Sequence, residues 1–172
     1  QITPKIVAVA PNALYVIVSN PVDIMTYVFT KISGLPESQV IGSGTVLDTA
    51  RLRYDLSKHF GVAQKNIHAY VFGEHGETSF VPWSIADISG CGLADYEDLM
   101  IKKGVVTERV DPEKTLEYVR KSGGEIIAKK GATFYAVSAS VNKICNSLVA
   151  AYDSVSTVSS MMHGEYGIED VC

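Results

Sequence analysis

The stretch "ALYVIVSN", residues 13–20, constrains the fold more than any other part of the chain. It is apolar and rich in β-branched residues at almost every position. A strand with one wet face alternates apolar and polar residues, whereas an unbroken run fits a strand buried on both faces, as in a parallel sheet. The following segment, "PVDIMTYVFTKISG" (21–34), reads as a helix with Pro21 at its start and Gly34 just past its end. "VIGSG" (40–44) reads as a second short strand. Strand, crossover helix and strand form a βαβ unit of an α/β fold. Ligands in such folds gather at the carboxyl ends of the strands, where Ser19, Asn20 and the 42–44 "GSG" stand.

The remaining pattern is mixed. Residues 4–10 read as the tail of a helix closed by Pro11-Asn12. Residues 45–60 predict a strong helix, with Thr45 as N-cap and Gly61 as stop. "IHAYVFGEH" (67–75) reads as a strand, and 78–89 pairs with it or follows it. Residues 112–153 are expected to be mostly helical, interrupted at Gly123-Gly124 and at Gly131. A hairpin followed by helices marks an α+β region after the βαβ end.

At 47% hydrophobic and 20% charged, the chain can build a core, and its net charge of −4 weighs against nucleic acid or an anionic membrane as main partner. Cys91, Cys145 and Cys172 are odd in number and show no ligand spacing, so neither an oxidising compartment nor a structural zinc is expected. His59, His68, His75 and His163 lack metal-ligand spacing, and no metal is expected. With no leader and no spanning apolar run, a cytoplasmic protein is the default. Both ends look cut, and the chain reads as an internal piece of a longer protein.

One histidine stands out. In "VFGEHGET" (71–78), His75 sits between two glycines at the end of a buried-looking strand. On the helix 45–60, Asp48 and Arg51 are three apart and share a face. Arg53 lies roughly 200° round the helix from Arg51 and points the other way. His68 and His75 are an odd interval apart, so a regular strand sends them to opposite sides. One set is then Asp48, Arg51 and His75, and the other is Arg53 and His68. On spacing alone, the plainer description is a surface ion pair, a solvated arginine, an edge histidine and a loop histidine. Chemistry supplies the reason to join the first set. A carboxylate beside a histidine fixes its tautomer and favours its protonated form. Such a ring can exchange a proton with a carbonyl or alcohol oxygen. An arginine fork beside it can bind a carboxylate at two points. Acid, base and clamp together describe a site for a 2-hydroxy or 2-oxo acid.

Four blocks in order, "VIVSNPVDIMTY", "VIGSGTVLDTARLR", "VFGEHGET" and "KGATFYAVSASV", make the chain resemble the L-lactate/malate dehydrogenase family, on the side of the bacterial L-lactate dehydrogenases. The resemblance implies the end of a Rossmann-type doubly wound parallel sheet, 1–44, belonging to an NAD-binding domain. It implies an α+β catalytic domain, 45–172, with the whole truncated at both ends. It also implies NAD as cofactor, pyruvate or L-lactate as substrate, and a homotetramer. By the same resemblance, His75 is the proton donor and acceptor, Asp48 its partner and Arg51 the clamp on the substrate carboxylate. Asn20 meets nicotinamide and substrate. Val18, Ser19, Asn20 and Ser43 contact the cofactor, Thr133 stands by the substrate methyl group, and Val137 lines the nicotinamide. Arg53 and His68 match positions that bind fructose 1,6-bisphosphate between subunits.

Phe72 stands where the family has an aliphatic residue, and Glu77 where it has an aspartate. The dinucleotide fingerprint, the ribose-binding acid and the mobile loop that selects lactate over malate are expected upstream of residue 1. Malate dehydrogenase is therefore the alternative within the family. A non-catalytic binding or oligomerising module is the alternative outside it, and the 172-residue chain alone is expected to show little turnover.

Overall fold

A computed structural model describes residues 1–172. Two compact units make up the chain, one formed by 1–46 with 137–172 and the other by 47–136.

The first unit opens with α1 (Thr3–Val9), β1 (Tyr15–Ile17), α2 (Val22–Ser33) and β2 (Val40–Gly42). Pro21 precedes α2, and Gly34 ends it in the left-handed region at φ 68°, as the sequence predicts. β1 and β2 pair in parallel, Tyr15 with Val40 and Ile17 with Gly42, so the crossover unit forms. β1 is shorter than the apolar run and half-buried, not covered on both faces. Its single sheet neighbour is β2, and the chain leaves the ladder at Val18.

β2 ends against a distant segment. Gly42 and Ser159 exchange backbone hydrogen bonds of 2.9 and 3.1 Å, and the Thr45 amide donates to the Thr157 carbonyl at 3.0 Å. A Cβ on Gly42 would lie 2.2 Å from Thr26 Oγ1. One on Gly44, at φ +49°, would lie 2.7 Å from the Ser159 nitrogen and the Thr157 oxygen. These glycines are required by close approach. The Ser159 hydroxyl donates to buried Asp23, which ties 159 to the start of α2.

The second unit holds all of α3 (Val46–Phe60) beyond its first residue, then β3 (Ile67–His68), β4 (Asp87–Ile88), β5 (Cys91–Gly92), α4 (Leu93–Lys102) and α5 (Pro112–Lys130). β3, β4 and β5 form an antiparallel sheet, with Ile67 opposite Ile88 and Asp87 opposite Gly92. Leu52, Leu56 and Phe60 recur at helical spacing on α3 and pack with Ile67, Ala69, Val71, Ile88 and Val119. Leu52 and Leu56 are fully buried, each stabilising the unit by about 1.5–3 kcal/mol.

Two expectations fail here. The strand expected over 67–75 is regular only at 67–68. Beyond a single bridge from Phe72 to Phe80, the chain turns at Gly73 with φ +83°. His75 therefore stands in a loop, and strand parity does not set its direction. The Gly123-Gly124 pair does not interrupt α5, which runs unbroken to Lys130. Asp111 caps α5 by accepting from the Glu113 and Lys114 amides, and Gly131 closes it at φ 79°. Tertiary packing holds the helix through the glycines. A Cβ on Gly123 would sit 3.6 Å from an Arg51 nitrogen, at ordinary contact distance, so α5 passes beside that side chain. α6 (Tyr135–Leu148) begins in the second unit and continues in the first.

Candidate active site

α3 places Asp48 and Arg51 one turn apart, and the loop after Phe72 brings His75 to them. His75 Nδ1 lies 2.5 Å from Asp48 Oδ2, and Arg51 Nη1 donates to Asp48 Oδ1 at 3.2 Å. Each carboxylate oxygen thus has its own partner. The Asp48 side chain is 6% exposed, Arg51 13% and His75 28%. The carboxylate is deep and the ring reaches outward. With Nδ1 engaged by the carboxylate, Nε2 is the ring nitrogen whose chemistry suits proton exchange with a ligand. The exposed part of the Arg51 fork is free to bind a second carboxylate, because a guanidinium carries five donors. Such a trio can orient a carboxylate-bearing ligand and exchange a proton with an oxygen beside it.

The helix phase read from sequence survives even though the strand parity does not. Arg53 turns away from Asp48, donates from Nε to the Ala69 carbonyl at 2.9 Å, and stacks with its Cζ 4.7 Å from the Tyr70 ring centroid. His68 is exposed one residue before Ala69, opposite Asp87 in the sheet. Thr133 is half-buried two residues before α6.

The other candidate residues lie in the first unit. Val18, Ser19 and Asn20 follow the carboxyl end of β1, with Ser19 and Asn20 exposed. Ser43 follows β2, and its amide donates to the Ile17 carbonyl at 2.8 Å, which holds the two strand ends together. Val137 is half-buried in the first turn of α6. Open polar backbone at the carboxyl ends of two parallel strands fits a dinucleotide.

Three participants escape sequence reasoning. Thr49, next to Asp48, accepts the Val71 amide on its hydroxyl at 3.0 Å and pins the segment leading to His75 onto α3. Ser79 and Arg120 bond to each other across 41 residues. Only Thr49 had a local signal, as a hydroxyl residue next to Asp48 on the predicted helix. No group of three or more His, Cys, Asp or Glu residues is placed to hold a metal ion.

Residues 1–42 match the NAD binding domain of lactate/malate dehydrogenase, and residues 45–172 match its alpha/beta C-terminal domain. The chain belongs to the lactate/malate dehydrogenase family. It is 45% identical over 99% of its length to L-lactate dehydrogenase 1 of Clostridium acetobutylicum, covering 54% of that protein. It is 46% identical over 100% of its length to the L-lactate dehydrogenase of Acetivibrio thermocellus, covering 53%. Among solved structures, a lactate dehydrogenase from a Medee basin deep-sea metagenome library superposes with a TM-score of 0.92 at 37% identity, over 99% of this chain and 53% of that one. The chain spans about half the length of the curated relatives it matches.

Proposed function

We propose that this chain is part of an NAD-dependent L-lactate dehydrogenase that interconverts L-lactate and pyruvate. The observation that carries the reading is Asp48, buried between His75 at 2.5 Å and Arg51 at 3.2 Å. NAD, when bound, exchanges hydride with C2 of the substrate, and everything else falls to side chains. Arg51 holds the substrate carboxylate by a fork of hydrogen bonds, which fixes the orientation of C2. His75 Nε2 gives a proton to the C2 oxygen during reduction and takes it back during oxidation. Asp48 keeps the Nδ1 tautomer and stabilises the imidazolium. The matches to relatives named L-lactate dehydrogenase support lactate over malate.

In this reading, residues 1–44 finish the NAD-binding domain and residues 45–172 form the substrate domain. Val18, Ser19, Asn20, Ser43 and Val137 meet the cofactor, and Asn20, Arg51 and Thr133 meet the substrate. Arg53 and His68 bind fructose 1,6-bisphosphate, and the enzyme is a cytoplasmic homotetramer. A stacked guanidinium and an exposed imidazole are groups that suit a phosphate. No helix is long and apolar enough to cross a membrane.

The test is steady-state oxidation of NADH by the protein at its full encoded length, with pyruvate against oxaloacetate. Pyruvate is expected to be preferred, and His75→Ala is expected to lower kcat by about 10²–10⁴-fold without unfolding the protein. A preference for oxaloacetate would overturn the substrate, and a near-normal rate for His75→Ala would remove His75 from the chemistry.

A further inference from the structure

The loop carrying His75 is anchored by a helix outside the Asp48–His75–Arg51 trio. Phe72 and Phe80 exchange backbone hydrogen bonds of 2.8 and 2.9 Å and close the base of the loop 73–79. Inside it, the Gly76 carbonyl accepts from the Ser79 amide at 3.3 Å and from the Ser79 hydroxyl at 2.8 Å. Ser79 is 3% exposed, while residues 76–78 and Phe80 on either side of it are exposed. Arg120 of α5 lies against it. Its Nη2 donates to the Ser79 carbonyl and its Nε to the Ser79 hydroxyl at 3.3 Å. The hydroxyl accepts from the guanidinium and donates to the Gly76 carbonyl, so a relay of two hydrogen bonds through Ser79 joins α5 to the residue after His75.

α5 is itself well placed to act as a fixed post. Its N-terminus is capped by Asp111, Thr115 Oγ1 donates to Asp55 Oδ2 on α3 at 3.2 Å, and Val119 is fully buried in the core. Gly123, one turn beyond Arg120, is where α5 comes close to Arg51. One side of one helix thus meets both the loop of the base and the arginine of the clamp.

We propose that Arg120 is a positioning residue: through Ser79 it holds the Gly76 carbonyl, and so keeps His75 at hydrogen-bonding distance from Asp48. The inference rests on the acid/base role given to His75 above. An unheld loop lets the ring drift, and a misplacement of about 1 Å costs on the order of 10²-fold in rate.

The experiment compares Arg120→Ala, Arg120→Lys and Ser79→Ala in the protein at its full encoded length. Three readouts are taken: kcat and KM for pyruvate, ¹⁵N imidazole NMR of His75, and activity with added guanidinium at non-denaturing concentration. For Arg120→Ala, kcat is expected to fall about 10–100-fold with KM within about threefold, because the Arg51 fork is untouched. The His75 Nδ1–H resonance hydrogen-bonded to Asp48 is expected to broaden or move upfield. Arg120→Lys and added guanidinium are each expected to restore part of the rate, and Ser79→Ala to lose several-fold. A folded Arg120→Ala with unchanged kcat and an unchanged His75 resonance overturns the inference. So does a loss of rate that tracks thermal stability and is rescued neither by guanidinium nor by lysine. If Arg120→Ala does not fold, Arg120→Lys and Ser79→Ala decide, and wild-type kcat in both overturns it. His75→Ala separates the two levels. A normal rate there sinks the acid/base role, while the His75 resonance in Arg120→Ala and Arg120→Lys still reports whether Arg120 holds the ring.

Discussion

Asp48→Asn tests the centre of the site in two currencies at once. The substitution keeps the shape and removes the charge that Arg51 and His75 share. At 3.2 Å and an effective dielectric constant of about 20, the gross Arg51–Asp48 attraction is roughly 5 kcal/mol. Removing one member of a pair this buried leaves a guanidinium that is only 13% exposed without its counter-charge. Breaking buried pairs costs about 3–5 kcal/mol, and Arg51's remaining exposure puts the expected loss near the lower end, about 3 kcal/mol. For a chain of this size that is a fall in melting temperature of roughly 6–12 °C. Asp48→Asn with Arg51→Met removes both charges, and the double variant is expected to regain part of the loss. On the catalytic side, the amide cannot stabilise an imidazolium and can present N–H to Nδ1, forcing the wrong tautomer. A fall in kcat of about 10²–10⁴-fold follows. Differential scanning calorimetry of this chain and, in the protein at its full encoded length, NADH oxidation with saturating pyruvate measure the two effects. A variant melting within about 2 °C of wild type and turning over within about threefold would refute both the burial argument and the role of Asp48.

Gly44→Ala is expected to destabilise the first unit by roughly 2 kcal/mol or more, because its Cβ meets backbone atoms of 157–159 at a positive φ; a chemical denaturation curve with an unchanged midpoint would contradict this. Arg53→Gln is expected to abolish activation by fructose 1,6-bisphosphate while leaving unactivated KM for pyruvate unchanged, read from kinetics with and without the effector. His163 has its pKa raised above 6.5, chiefly by its hydrogen bond with Glu37 at 2.5 Å. A raised folded-state pKa adds stability that is full below 6.5 and lost as pH rises through the folded value. His163→Gln is therefore expected to lower the melting temperature slightly in mild acid and not in mild alkali, and equal shifts at both would rule out the pair as the cause.

Much of the fold was legible because local chemistry and tertiary structure agreed. Pro21 and Gly34 bracket α2, Gly61 follows α3, and Gly131 closes α5, each at the position its backbone preference dictates. The site was half legible. Asp48 and Arg51 share a face because the helix period is rigid, and a rigid period can be counted. The same counting failed across 67–75, since Gly73 at φ +83° and the bend that follows break the alternation on which strand parity depends. Gly123-Gly124 misled in the other direction. Helix propensity is weak beside packing, and α5 runs straight through.

By itself the sequence determined the crossover unit, the helix carrying Asp48 and Arg51, and the separation of Arg51 from Arg53, because all three follow from periodicities within one element. Only the tertiary structure decided that Ser159 would close on Gly42, that His75 would meet Asp48 from a loop instead of a strand, and that Arg120 would reach Ser79. Those contacts join residues 27–117 positions apart, and no local period carries information over such distances. They form because buried polar groups must find partners, and which partner is near is a property of the packed chain.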